Sequence, residues 1–249
     1  MLAYASYLDF KSREIDLRVW FKLAVPIAVV SMLELATTEQ GASVNEGIER
    51  ILLGTAIVCA LSGALFLAGM LGGGDIVPLA VIGITHPWNP LAGILGIEQT
   101  MLPPVLLVLA YASFAAASQS IMLLAYNLTF NRNEIGRLPG RKLKLVYALT
   151  AIPARSADLV KKRFWFPLER SWDNEQRYRL YFKVEEDDSV LRAKVKQMIA
   201  ARVVSENQRV WATYGIPFVA FIFVGYLATL FLGDSLVLSI LRFLTGGGH

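Results

Sequence analysis

Long apolar stretches dominate this chain and leave it few ways to fold. Residues 19–35, 51–71, 101–128 and 211–232 are four runs near or beyond the roughly 20 residues that a helix needs to cross a bilayer. A soluble domain carries about a quarter charged residues. Here the charged share is 18%, against 55% hydrophobic residues and a mean hydropathy of +0.50. The pattern is that of an all-α, polytopic integral membrane protein.

The segments between the runs set its organisation. Residues 1–8 are apolar but make only about two helical turns, so a first helix is short or truncated. Residues 9–18 are polar, and Pro26 is expected to kink the 19–35 helix, which neighbouring helices tolerate. A further apolar run, 76–85, is interrupted by His86-Pro87-Trp88-Asn89-Pro90 and resumes over 91–97. Positive charge near span ends fixes orientation. Residues 9–22 hold Lys11, Arg13, Arg18 and Lys22, and residues 132–209 hold 18 of the 24 Lys and Arg residues. Both segments are expected at the cytoplasmic face, which requires 76–97 to cross as a short or broken helix. Three regions follow: a membrane part over 1–128, a basic cytoplasmic region over 129–209, and a last helix with an amphipathic tail over 210–249.

The 132–209 segment nets +8 while the rest of the chain nets −4. Within it, 154–170 places Lys161, Lys162 and Arg163 beside Phe164, Trp165 and Phe166, as an element lying on anionic lipid would. Residues 178–184 alternate like a strand, and 189–204 have helical periodicity. The region reads as a small subdomain or as a solvated basic linker. A membrane surface accounts for the charge, and no nucleic-acid partner is expected.

Two acids stand out chemically. Asp75 lies between two apolar runs, directly after Gly72, Gly73 and Gly74, whose missing side chains allow a tight bend and close approach to another helix. Asp9 sits at a helix mouth. Two crossings separate them, so both are expected at the cytoplasmic face. Two carboxylates held close share a proton, because both cannot ionise easily. One can then act as general base toward a water while the protonated one polarises a carbonyl. That is aspartic-protease chemistry, and it uses no metal and no cofactor. His86 falls in the opposite-face loop and the single cysteine, Cys59, is mid-span, so Ser-His or Cys-His chemistry has little support. The two histidines, His86 and His249, are too few and too far apart for a metal site.

The segment Asp9-Phe10-Lys11-Ser12-Arg13-Glu14-Ile15, the Gly72-Gly73-Gly74-Asp75 motif, and Trp211 with Gly215-Ile216-Pro217 before the last span together resemble a family. The chain is similar to the archaeal preflagellin/prepilin peptidases, GxGD aspartic membrane proteases related to bacterial type IV prepilin peptidases. The resemblance implies about six transmembrane helices and catalytic Asp9 and Asp75. It also implies cleavage of a short basic leader from archaellin or pilin precursors with class III-type signal peptides. Glu14 and Asp16 could attract the leader's basic residues, or pair instead with Lys11, Arg13 or Arg18. In the family a full helix precedes the first Asp, whereas eight residues do here. With one cysteine, the zinc-binding domain and N-methylation of some bacterial members are not expected. The competing reading is a small transporter or channel subunit with Asp75 as an ion or proton site. A presenilin-like protease would place its first Asp deep in an apolar helix.

Overall fold

A computed structural model of the chain describes residues 1–13, 15–37, 44–67, 72–96, 98–170, 177–182, 186–215 and 217–245. In chain order the helices begin with α1 (Leu2–Ser12), α2 (Leu17–Thr37), α3 (Val44–Leu67), α4 (Gly73–Thr85), α5 (Ala92–Leu95) and α6 (Pro104–Phe130). Then come α7 (Arg132–Arg137), α8 (Arg141–Thr150), β1 (Ile152–Arg155), α9 (Ser156–Lys161), β2 (Trp165–Pro167), α10 (Asp188–Ala200) and β3 (Arg209–Tyr214). The chain closes with α11 (Phe218–Leu232) and α12 (Ser235–Leu244). It divides into two compact units, Met1–Ala116 with Pro217–His249, and Ala117–Ile216.

Among its described residues the first unit contains helices and no strand. Two described helices are long and apolar enough to cross a membrane, over Asn45–Leu67 and Pro104–Phe130. A third joins them if α11 and α12, bent by 93° at Gly233-Asp234, count as one span. Helix α4 with its 13 residues rises about 20 Å, short of a bilayer core of about 30 Å. It breaks at His86 and resumes as the single turn α5, the interrupted form expected for 76–97. Helix α2 continues through Pro26.

In lipid the drive to bury apolar surface between helices is absent, so small residues and polar bonds hold helices together. A Cβ at Gly225 of α11 would run into the Val108 carbonyl oxygen and lie 2.8 Å from the Ala112 nitrogen, both backbone atoms of α6. A Cβ at Gly83 of α4 would collide with the Thr55 hydroxyl of α3. Leu2, Trp20, Val58, Leu79, Ile82, Val108, Val219 and Ile222 fill the space between these helices. Asn89 donates from its amide to the carbonyls of Thr229 and Leu230 in the last turn of α11, both at 3.2 Å, and shares the Thr229 carbonyl with the Gly233 N–H.

The second unit corrects the all-helical expectation. Among its described residues β1, β3 and β2 form an antiparallel sheet in that order. The correction falls on residues 211–214, which had been expected to open the last span. Val210, Trp211, Ala212 and Thr213 are buried in the central strand, paired on both sides. A short apolar run of this kind has the same hydropathy as the start of a helix, and only its strand partners decide the matter. The last helix starts at Phe218, behind Pro217. Packed on the sheet's neighbours are Ile135, Leu138, Tyr147, Ala148 and Leu168. The buried Asn127 amide donates to the Ala148 and Ala151 carbonyls at 3.0 and 2.7 Å, tying α6 to the end of α8. Over 178–184 only Tyr178 pairs, in an isolated bridge with Glu169, and 183–185 lie outside the described residues. Helix α10 occupies most of the 189–204 stretch, so the region is a folded subdomain rather than a linker.

Candidate active site

Residues Leu2, Ala5, Ser6 and Asp9 are the buried positions of α1. Their spacing of three and four puts them on one helix face, so the stripe that packs α1 against α11 ends on a carboxyl group. Ser6 donates its hydroxyl to the Val219 carbonyl at 3.3 Å, and Asp9 Oδ2 accepts the Val219 N–H at 3.1 Å. Val219 is in the first turn of α11, where N–H groups lack helical partners and an anion is favoured. Asp9 is thereby held with only 6% of its surface exposed. Arg13 caps α1 in the left-handed conformation (φ 60°), its N–H bonded to the Asp9 carbonyl at 3.2 Å. Its guanidinium Nη1 lies 3.9 Å from Asp9 Oδ1.

Asp75 occupies the first turn of α4. Its Oδ2 accepts the Gly72 N–H at 3.1 Å, and its own N–H donates to the Gly72 carbonyl at 3.0 Å. The pair closes the start of the helix much as a capping box does. Gly72 is extended (φ −77°, ψ 147°), so the motif makes no bend that only glycine could adopt. A Cβ at Gly74 would meet nothing within 4 Å, so the close helix approach expected of the glycines is not seen there.

Neither carboxyl lies in a candidate span. Burial raises the Asp9 pKa above its ordinary value, opposed by the Arg13 charge and the Val219 N–H. Asp75 is pushed up to about 6, first by burial and then by the charge of Asp9, against the Gly72 N–H and Arg13. The repulsion falls on the last proton of the pair. A negative charge on Asp9 favours the protonated form of Asp75. Two acids 66 residues apart in sequence thus share one electrostatic environment.

The remaining expected residues are less central. Glu14 lies outside the described residues. Asp16 is exposed, and its carboxylate accepts the Arg18 N–H at 2.9 Å at the start of α2, a turn role of its own. Sequence reasoning missed the Val219 N–H and the reach of Arg13 to both carboxyls. The available signal was the 2-5-6-9 stripe, which required α1 to bury Asp9 against some helix, and Pro217 as a marker of a helix start.

A comparison with protein-family profiles matches residues 1–121 to the type IV leader peptidase family, Peptidase_A24. Residues 143–235 match the archaeal peptidase A24 C-terminus, type II. No curated protein matches the chain. The two matches follow each other along most of the sequence and take in both carboxyls, the sheet and the start of α11. The chain therefore belongs to the type IV leader peptidase family, among its archaeal prepilin and preflagellin peptidases.

Proposed function

We propose that the chain removes the short basic leader of archaellin or type IV pilin-like precursors at the cytoplasmic membrane face, with Asp9 and Asp75 as its catalytic pair. The family is one of aspartic-type proteases with prepilin-like substrates. The observation that carries the assignment is that Asp9, buried on α1, and Asp75, at the start of α4, lie close enough for the charge of Asp9 to raise the Asp75 pKa.

In this reading ionised Asp9 takes a proton from a water, and the resulting hydroxide attacks the scissile carbonyl. Protonated Asp75 donates to the carbonyl oxygen as the tetrahedral intermediate forms. Collapse breaks the C–N bond, the leaving amine takes the proton gained by Asp9, and Asp75 recovers its own from the intermediate's hydroxyl. The pair returns to its starting state. Open space beside Gly74 gives a substrate backbone room to approach Asp75. Gly74→Val is expected to leave helix content and unfolding temperature unchanged while lowering kcat/KM roughly tenfold or more, since small misplacements at a reacting centre are costly.

The reaction needs one protonated and one ionised carboxyl. As pH rises through about 6 the pair loses its last proton from Asp75, so kcat/KM for the free enzyme should fall. Arg13 lowers both titrations. Arg13→Gln is therefore expected to move this alkaline limb to higher pH, which a pH profile of leader release would register.

The substrate assignment is tested with the purified chain in vesicles and a precursor whose leader is intact or has its cations neutralised. Release of the basic leader, slowed by neutralisation, is expected. An uncleaved basic leader would reject it.

A further inference from the structure

The turn between α9 and β2 in the second unit takes no part in that chemistry, and its construction is unusual. Phe164 sits at φ 61°, a left-handed conformation that a bulky L side chain adopts only against resistance. Such a residue persists when its surroundings fix it. Here the Phe164 N–H donates to Asp188 Oδ2 at 2.9 Å, and its carbonyl accepts the Gly215 N–H at 2.9 Å. The turn therefore presents Lys161, Lys162 and Arg163 in a fixed arrangement, all three exposed. Lys162 Nζ lies 5.1 Å from the centroid of the Trp165 ring, and the Arg163 guanidinium lies 4.9 Å from that of Phe164.

Arg170, Arg177, Arg179, Arg192 and Arg209 each have a carboxylate within ion-pair distance, drawn from Glu134, Glu169, Glu186 and Asp188. Among the described residues, Lys161, Lys162 and Arg163 belong to the larger set of cations in the unit that have no ion pair, which also includes Arg132, Arg141, Lys142 and Lys194. They are set apart from these by their place in a fixed turn beside two aromatic rings. We propose that the turn from Lys161 to Trp165 is a docking site for an anionic lipid surface, with the three cations on headgroup phosphates and the indole ring at headgroup level. Cations flanked by half-buried aromatic rings match that interface in both charge and polarity. The chain supplies the surface at high local concentration, because apolar α6 and α11 bound this unit in sequence. A basic precursor leader would be repelled by the same cations.

The test uses the full chain in vesicles of phosphatidylcholine alone or mixed with phosphatidylglycerol, doped with a lipid carrying a nitroxide headgroup. Quenching of Trp165 is read as the difference between the chain and its Trp165→Phe variant. Three cations favour a docked turn by roughly a hundredfold on an anionic surface. Quenching should therefore be strong with phosphatidylglycerol and slight without it. It should vanish in a variant combining Lys161→Glu, Lys162→Glu and Arg163→Glu, and weaken as salt shortens the screening length from about 10 Å at 0.1 M to about 3 Å at 1 M. Equal quenching in both lipids and in the charge-reversed variant, or none in either lipid, would overturn the proposal. Relief of quenching by excess RNA in the anionic vesicles would overturn it too, by assigning the turn to nucleic acid.

Discussion

Asp75→Asn is expected to reduce leader removal by roughly a hundredfold to ten-thousandfold, the range for loss of a positioned acid or base, and Asp9→Asn by a similar factor. Both substitutions keep shape and an acceptor oxygen. The new amide oxygen could still accept the Gly72 N–H in the first variant and the Val219 N–H in the second, so the start of α4 and the α1–α11 contact should survive. Helix content and unfolding temperature are the controls. Gel-shift of a precursor incubated with each purified variant reads the loss. An ion-conducting protein built around Asp75 would release no leader in any form of the chain, so cleavage by the unaltered chain that is lost in both variants separates the two readings.

The second large effect is structural. Gly225→Leu should lower the unfolding temperature sharply, because the added side chain meets the backbone of Val108 and Ala112 and not a side chain that could swing aside. Overpacking of this kind commonly costs about 1–3 kcal/mol and occasionally more, against a total stability of about 5–15 kcal/mol. Relief requires α11 to move off α6, and the first turn of α11 supplies the N–H that holds Asp9. Gly225→Ala should be milder, with a lowered unfolding temperature and a partial loss of activity together. Thermal unfolding followed by circular dichroism in detergent checks both variants.

Much of the fold was legible because hydropathy reports burial in lipid directly. Helices α3 and α6 stand where the runs at 51–71 and 101–128 lie, and the break at His86 where polar and proline residues interrupt the run. The strand at Arg209–Tyr214 was not legible, because Val210, Trp211 and Ala212 are as apolar as the helix that follows. What makes them a strand is pairing with β1 and β2, drawn from residues about 45–60 positions away. The two acids could be picked out from their placement at span ends. Their environment could not, since the Val219 N–H belongs to a residue 210 positions from Asp9. The glycines before Asp75 taught the opposite lesson. Their presence suggested a bend, but Gly72 is ordinarily extended and Gly74 faces open space.

The coupling of the two carboxyls is open to direct measurement. Infrared titration of the protonated carboxyl band, with Asp75 identified by its loss in Asp75→Asn, should place Asp75 near pH 6 in the unaltered chain. In Asp9→Asn the neighbouring negative charge is gone, and the Asp75 midpoint should fall below that value while burial keeps it above an ordinary aspartate. A midpoint that stays put when Asp9 is neutralised would mean that the two acids do not share a site, and the catalytic pair would have to be abandoned.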